Sequence, residues 1–468
     1  MNNRHFVLLG AAGAIAAAML SANDASSQLS VSTTFRARDP GPRGGPAAAG
    51  GPIAGLTANE LDFFNSGMAD FAEAEDFTEG IGPTMNLDSC GGCHAQPAVG
   101  GSSPAVNPQV AFAKKAGAHN NVPPFVFPDG PVREARFVKN GDGSSDGGVH
   151  ALFTVAGRSD GNPACLLAQP DFPGAIRARN VIFRVPTPVF GSGLIEAIPD
   201  SAILANAQAN AGSKQPLGIR GRANFSVAGR TVSGQTNNNG NDGTVARFGW
   251  KAQNKSLLLF SGEAYNVEMG ISNELFPTER SELANCQSAT VPNDSLNTDA
   301  PAPTDAITAI SRFAIFQRFL APPTPSPDTP GGADSIGRGK TYFTAVGCAL
   351  CHTATMKTGN ATVAALRYQD ANLYSDLLVH DMGPGLADGV AQGQASGSEF
   401  RTAPLWGVGQ RLYFLHDGRS GDLLDAINAH QGGTLAAGNA SEANGVVRVF
   451  NTLTERQKQD ILNFLRSL

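Results

Sequence analysis

The pentads Cys90-Gly91-Gly92-Cys93-His94 and Cys348-Ala349-Leu350-Cys351-His352 constrain this chain more than any other feature. Two thiols three positions apart reach the two vinyl groups of one porphyrin, and the adjacent imidazole then lies under the iron as its proximal ligand. A zinc site would need further Cys or His ligands close by, and the flanks of both pentads offer almost none. Each pentad is therefore read as an attachment site, giving two covalently bound haem c per chain. Cys90, Cys93, Cys348 and Cys351 would be the thioether links, and His94 and His352 the iron ligands.

The N-terminus agrees with that chemistry. Arg4 and His5 precede an apolar run over residues 6–20 and then small residues to Ser27, the pattern of a secretory signal peptide over residues 1–28. Haem c is attached outside the cytoplasm, so a periplasmic protein is expected. The alternative is an uncleaved N-terminal anchor. The run is too short to span a bilayer comfortably, and no other segment approaches that length, so no stable membrane insertion is expected. A net charge of −6 without a basic cluster argues against nucleic acid as a partner and leaves small redox proteins open. Of the six cysteines, Cys165 and Cys286 remain outside the pentads. In an oxidising compartment they read as a structural disulfide.

With 55 Gly and 30 Pro, long irregular loops are expected around a modest helical framework. The fold class read from this is mainly α, two haem-carrying domains in tandem, the first enlarged by insertions. Residues 29–55 read as a flexible Gly/Pro-rich tether. Thr57 and Glu60 form a capping box that should start a helix through Leu61, Phe64, Met68 and Phe71. Residues 56–286 make the first domain, with short apolar runs at 135–138 and 149–155 and an exposed Gly/Asn-rich loop at 234–243. Residues 287–333 form a Pro-rich connector with one helix over 306–320. The second domain, 334–468, begins its first element at Ile336 and closes on a helix from Thr454 capped by Gln457. Helix, pentad, loops and final helix is the order of a cytochrome c module. The stretch 183–193 is also echoed by 400–409, each downstream of its own pentad, so the chain reads as a duplicated unit.

Beyond the pentads, Tyr413-Phe414-Leu415-His416-Asp417-Gly418 is followed by His430. Phe248-Gly249-Trp250 is followed by Asn266-Val267-Glu268-Met269-Gly270. With Gly193-Leu194-Ile195-Glu196-Ala197-Ile198-Pro199 and His380-Asp381-Met382-Gly383-Pro384-Gly385-Leu386, this pattern resembles the bacterial di-haem cytochrome c peroxidases. It is most similar to the di-haem oxidoreductase branch sometimes labelled thiol oxidoreductase, over roughly residues 55–468. The resemblance implies that Trp250 lies between two haems and that Glu268 works above the peroxidatic one. It also implies that the position of His430, usually Met, supplies the sixth ligand of the second haem. Gly191 and Gly407 stand where the peroxidases carry a calcium-associated Asn, which argues against bound calcium. The longer stretch between Gly191 and Trp250 also leaves the substrate open.

The residues allow other readings. Glu268 also fits an ordinary surface carboxylate, Trp250 also fits core packing with Trp406 in the bridging role, and His416 is the next ligand candidate after His430. His119 and His150 are candidate ligands of the first haem in a resting state, and His380 fits either a propionate contact or a turn cap. A carboxylate above an open haem suits proton transfer during peroxide cleavage. The expectation is thus a peroxidase-like oxidoreductase passing electrons from the C-terminal haem to the N-terminal one, where peroxide or another small oxidant is reduced. The rivals are a non-enzymatic carrier with both irons closed, and an oxidase of a protein side chain or thiol.

Overall fold

The computed structural model describes residues 35–468 except 157, 227–230, 233–234, 237–243, 281–282 and 288. The expected signal peptide, the start of the expected tether and most of the 234–243 loop lie outside the described residues. Five helices frame the two halves: α1 (Ala58–Ala72), α2 (Leu257–Met269), α3 (Ala309–Phe319), α4 (Gly332–Ala345) and α5 (Glu455–Ser467). Helix makes up 33% of the structure, so the helical framework with irregular loops is present, as a partly helical fold rather than a mainly α one. The apolar runs near 135 and 149–155 become strands. Glu134–Phe137 lies between Val149–His150 and Val181–Arg184 in an antiparallel three-stranded sheet, and Phe153–Thr154 pairs with Thr84–Met85.

Both expected capping boxes form. The Thr57 side chain accepts from the Glu60 amide while Glu60 accepts from the Thr57 amide, and Thr454 and Gln457 do the same for α5. The connector helix starts at Ala309 rather than 306, because Ile307 is extended and the Asp294 carboxylate accepts from the Ala309 and Ile310 amides. Helix α4 begins at Gly332, earlier than Ile336, after Gly331 turns the chain at φ +78°.

The two halves repeat one crossing. Helix α3 packs on α1 and α5 on α4. At each crossing a glycine lets the backbones close, since a Cβ on Gly67 would strike the Arg312 carbonyl and one on Gly339 the Asp460 carbonyl. The later glycines match as well: Gly193 abuts the Arg318 carbonyl near the end of α3, and Gly409 the Arg466 carbonyl near the end of α5. Phe64, Phe71, Phe313 and Phe316 fill the first crossing, and Phe343, Ile461, Phe464 and Leu465 the second.

Residues 35–55, expected as tether, are instead tied down. Asp39 accepts two hydrogen bonds from the buried Arg466 guanidinium (2.7 and 2.6 Å), and the Arg43 and Ile53 amides donate to Gly409 and Phe319 carbonyls. Gly and Pro set the local stiffness of this segment. Its order comes from partners hundreds of positions away in sequence, which composition does not register. Cys165 and Cys286 are disulfide-bonded and buried beside Phe125 and Phe172. No helix among the described residues is long and apolar enough to cross a membrane.

Candidate functional site

Each pentad opens onto its own cavity. Cys90–Cys93 forms a single helical turn, and the amide of His94 donates back to the Cys90 carbonyl (2.9 Å); Cys348–Leu350 does likewise for His352 (2.9 Å). The turn brings two free thiols and one imidazole to the same wall. The His94 Nδ1–H donates to the Gly101 carbonyl and the His352 Nδ1–H to the Tyr374 carbonyl, both at 3.0 Å. A carbonyl can only accept, so Nε2 is the basic nitrogen in each ring, the tautomer an iron ligand requires. Burial lowers both imidazole pKa values to about 4, which keeps them neutral at pH 7.

The first cavity, about 1110 Å³ of empty volume, is lined by His94 together with Glu268, Glu134 and Arg136. Helix α2 presents Glu268 two residues before the Gly270 cap at φ +73°. Asn86 Nδ2 donates to Glu268 Oε2 (2.5 Å), and the Glu268 and Glu134 carboxyls hydrogen-bond to each other. Arg136 Nε donates to Glu134 Oε1 (2.6 Å). Burial and then the Glu134 charge hold Glu268 well above the usual carboxylate range. For Glu134, burial acts upward, but Arg136 outweighs it and brings the carboxyl to about 2. Among the described residues lining this cavity there is no second histidine. His150 stacks on Phe137 and bonds Asp146, and neither it nor His119 reaches the lining.

The second cavity, about 1460 Å³, brings His352, His430, His416 and His380 to one space. His430 ends the helix Leu423–Ala429, and its Nδ1–H donates to the Ala426 carbonyl (2.7 Å), again leaving Nε2 as the basic nitrogen. The His416 ring is stacked on Phe400, centroids 4.3 Å apart, and its pKa is lowered to about 4 by burial. His380, which the sequence left between two roles, bonds Glu442 through Nδ1 (2.8 Å) and Asp376 through Nε2 (3.0 Å).

Trp250 lines both cavities and is the one residue common to the two linings. Its Nε1 donates to the Val185 carbonyl (2.9 Å), while Val185 N donates to the His416 carbonyl (2.8 Å). Trp406 lines neither cavity and packs in the core against Gly191.

Orphaned buried donors test whether haem fits. Arg401 and Arg411 both line the second cavity; burial lowers each to about 10, and Arg401 Nη1 has no hydrogen-bond partner. Arg133 Nε is likewise buried and unpartnered in the lining of the first, where Arg184 already has Asp388 as its anion. Buried guanidinium groups call for anions, and the two propionates of a haem supply them. The donor sets therefore fit one haem per cavity.

Sequence reading did not find Glu134, Arg136, Arg401 or Arg411. The signal for the first pair was faint: strand periodicity puts Glu134 and Arg136 on one face of an otherwise apolar run. Arg401 stood in the repeated stretch 400–409 without being read as a site residue, and no motif marked Arg411.

No curated protein matches the chain. Among solved structures, hydrazine synthase of Kuenenia stuttgartiensis aligns at 19% identity and TM-score 0.24, over 36% of this chain and 56% of that one. A MauG-like protein associated with microbial copper homeostasis aligns at 18% identity and TM-score 0.28, over 53% of this chain and 78% of that one. The model of the family described as "Di-haem oxidoreductase, putative peroxidase" matches residues 177–468, a span that takes in Trp250, Glu268, the second pentad, His416 and His430. The chain belongs to the di-haem oxidoreductase family.

Proposed function

We propose that this protein is a periplasmic, peroxidase-like oxidoreductase whose two cavities each hold one haem c, bound through Cys90 and Cys93 and through Cys348 and Cys351. In this reading the halves are two cytochrome c-like units, each closed by a glycine-mediated helix crossing. The connector helix α3 then serves as the closing helix of the first unit. Bound there, haem supplies an iron that exchanges electrons with peroxide in the first cavity and relays them in the second.

The observation that carries the reading is the asymmetry of the two linings. The second cavity sets His430 and His352 in one space, enough to close an iron from both sides and leave it to electron transfer. The first offers His94 and, away from it, a carboxyl pair and cationic groups. Such a lining leaves room for a small oxidant and provides groups to move its protons. A pure electron carrier has no use for that second lining. Electrons from a small redox protein would enter at the His352 centre and pass Trp250 to the His94 centre. Reducing one peroxide to two waters consumes two electrons from that donor and two protons.

Steady-state turnover with hydrogen peroxide and a reduced small c-type cytochrome tests this, together with the visible spectrum of the holoprotein. The expected result is peroxide-dependent oxidation and one high-spin ferric haem beside one low-spin haem. Two low-spin haems and no peroxide reaction, even after one-electron reduction, would overturn it in favour of a carrier.

A further inference from the structure

The carboxyls of Glu268 and Glu134 touch, and two carboxylates cannot hydrogen-bond unless one of them is protonated. The surroundings decide which one. Arg136 Nε donates to Glu134 Oε1 at 2.6 Å, an arrangement that favours carboxylate at Glu134. Glu268 receives the neutral Asn86 amide at Oε2, which leaves its other oxygen to carry a proton toward Glu134. Asn86 is itself fixed, because its Oδ1 accepts from the Leu152 amide (2.8 Å). The further charged groups acting on the pair are Arg184, Arg280 and Glu263; Arg280 is spent on the Val267 carbonyl (2.8 Å), and Glu263 bonds Asn254. The group that sequence alone suggests as a base thus rests as an acid.

We infer that Glu134 and Glu268 form a carboxyl pair holding one shared proton on the wall of the first cavity, with Glu268 as the proton donor and Glu134 as the acceptor of the returning proton. As a proton-transfer device for peroxide, the inference rests on the function proposed above. When a bound peroxide loses a proton from one oxygen to the Glu134 side of the pair, Glu268 releases its own to the other oxygen. The pair's net charge is unchanged through the exchange. The two electrons that break the O–O bond come from the redox-protein donor, and the two protons that complete two waters are taken from solvent.

The test reads the proton directly. Infrared difference spectra of the holoprotein at neutral pH, parent minus Glu268→Gln, should contain one carboxylic-acid C=O band that shifts in deuterium oxide. Gln is the uncharged isostere of protonated Glu268, so this variant keeps the bond to Glu134 and should fold and carry both haems as the parent does. Glu134→Gln should shift the same band, because burial keeps Glu268 protonated while its hydrogen-bond partner changes from an anion to a neutral amide. Should Glu134→Gln not fold, Glu134→Asp keeps the carboxylate and should retain the band at a shifted position. No band lost in Glu268→Gln, or a band untouched by both Glu134 variants, overturns the pair. In turnover, Glu268→Gln should lose about 10²–10⁴-fold. A coupled band in a parent that does not react with peroxide would leave the pair standing and remove the peroxidase reading instead.

Discussion

The indole of Trp250 stands edge-on to the imidazole of His416, ring centroids 6.4 Å apart and planes at 73°. His416 is stacked in turn on Phe400, and the Lys251 ammonium lies over the Phe400 ring, 3.9 Å from its centroid. A continuous aromatic path therefore joins the wall of the first cavity to that of the second. Asp388, ion-paired with Lys251 (3.2 Å) and Arg184 (2.6 Å), fixes the seam from behind. His416, Phe400, Lys251 and Asp388 are buried and the half-buried Trp250 is held by the Val185 carbonyl, so the path is packed in place.

If electrons cross between the cavities along this path, Trp250→Phe should slow inter-haem electron transfer while leaving both haem spectra near those of the parent. Trp406→Phe should not, because Trp406 lines neither cavity. Rapid-mixing kinetics that follow the two haems separately check the contrast. Equal slowing in the two variants would remove Trp250 from the path.

The closed second centre makes a separate prediction. His430 and His352 share the second cavity, and imidazole favours ferric iron more than thioether does. His430→Met should leave that haem low-spin and raise its potential, with the other haem unmoved in a spectroelectrochemical titration. If both potentials stay where they are, His430 is no ligand and His416, in the same lining, takes its place as the candidate.

Cys165 and Cys286 close a loop of 121 residues and lie in the core of the inserted region, away from both cavity linings. Their bond should act on stability alone. Cys165→Ser with Cys286→Ser should cost about 2–5 kcal/mol in denaturant unfolding, and turnover of the folded variant should survive. A folded variant without turnover would point to thiol redox chemistry at this pair.

How much of this was legible in the sequence depended on range. The pentads and the two capping boxes are local, so three or four residues carry the whole signal. Trp250 could be picked out by motif, but its place in both linings follows from Val185 and His416 arriving from distant segments. The contact between Glu134 and Glu268 was invisible because it joins a strand of one sheet to the end of α2. The bond between Asp39 and Arg466 lies at the two ends of the chain, and nothing in a Gly/Pro-rich segment announces such a partner. Gly67 and Gly339 were legible only as glycines inside helical patterns. Their reason, a carbonyl of the crossing helix at the Cβ position, exists only in the packed state.

Glu75 provides the pH prediction. Its carboxyl is held under α2, where Tyr265 donates to Oε1 (2.7 Å), and burial, assisted by the charges of Glu79, Glu73 and Asp70, raises its pKa from 4.5 to about 7. The sign follows from proton counting. Between those two values the folded state binds more protons at this position than the unfolded state, so folding is disfavoured as pH rises through the window. Above about 7 the full cost is present, and below 4.5 it vanishes. Glu75→Gln keeps a group able to accept from Tyr265 and removes the titration. The Tm of the variant should therefore gain on the parent steadily as pH is raised from 4.5 to about 7, and hold that gain at higher pH. Thermal unfolding of parent and variant in matched buffers measures the difference, in which the neighbouring Asp70, raised to about 6, largely cancels because it is common to both. A difference flat across the window would mean that Glu75 ionises in the folded protein as freely as it does in the unfolded chain.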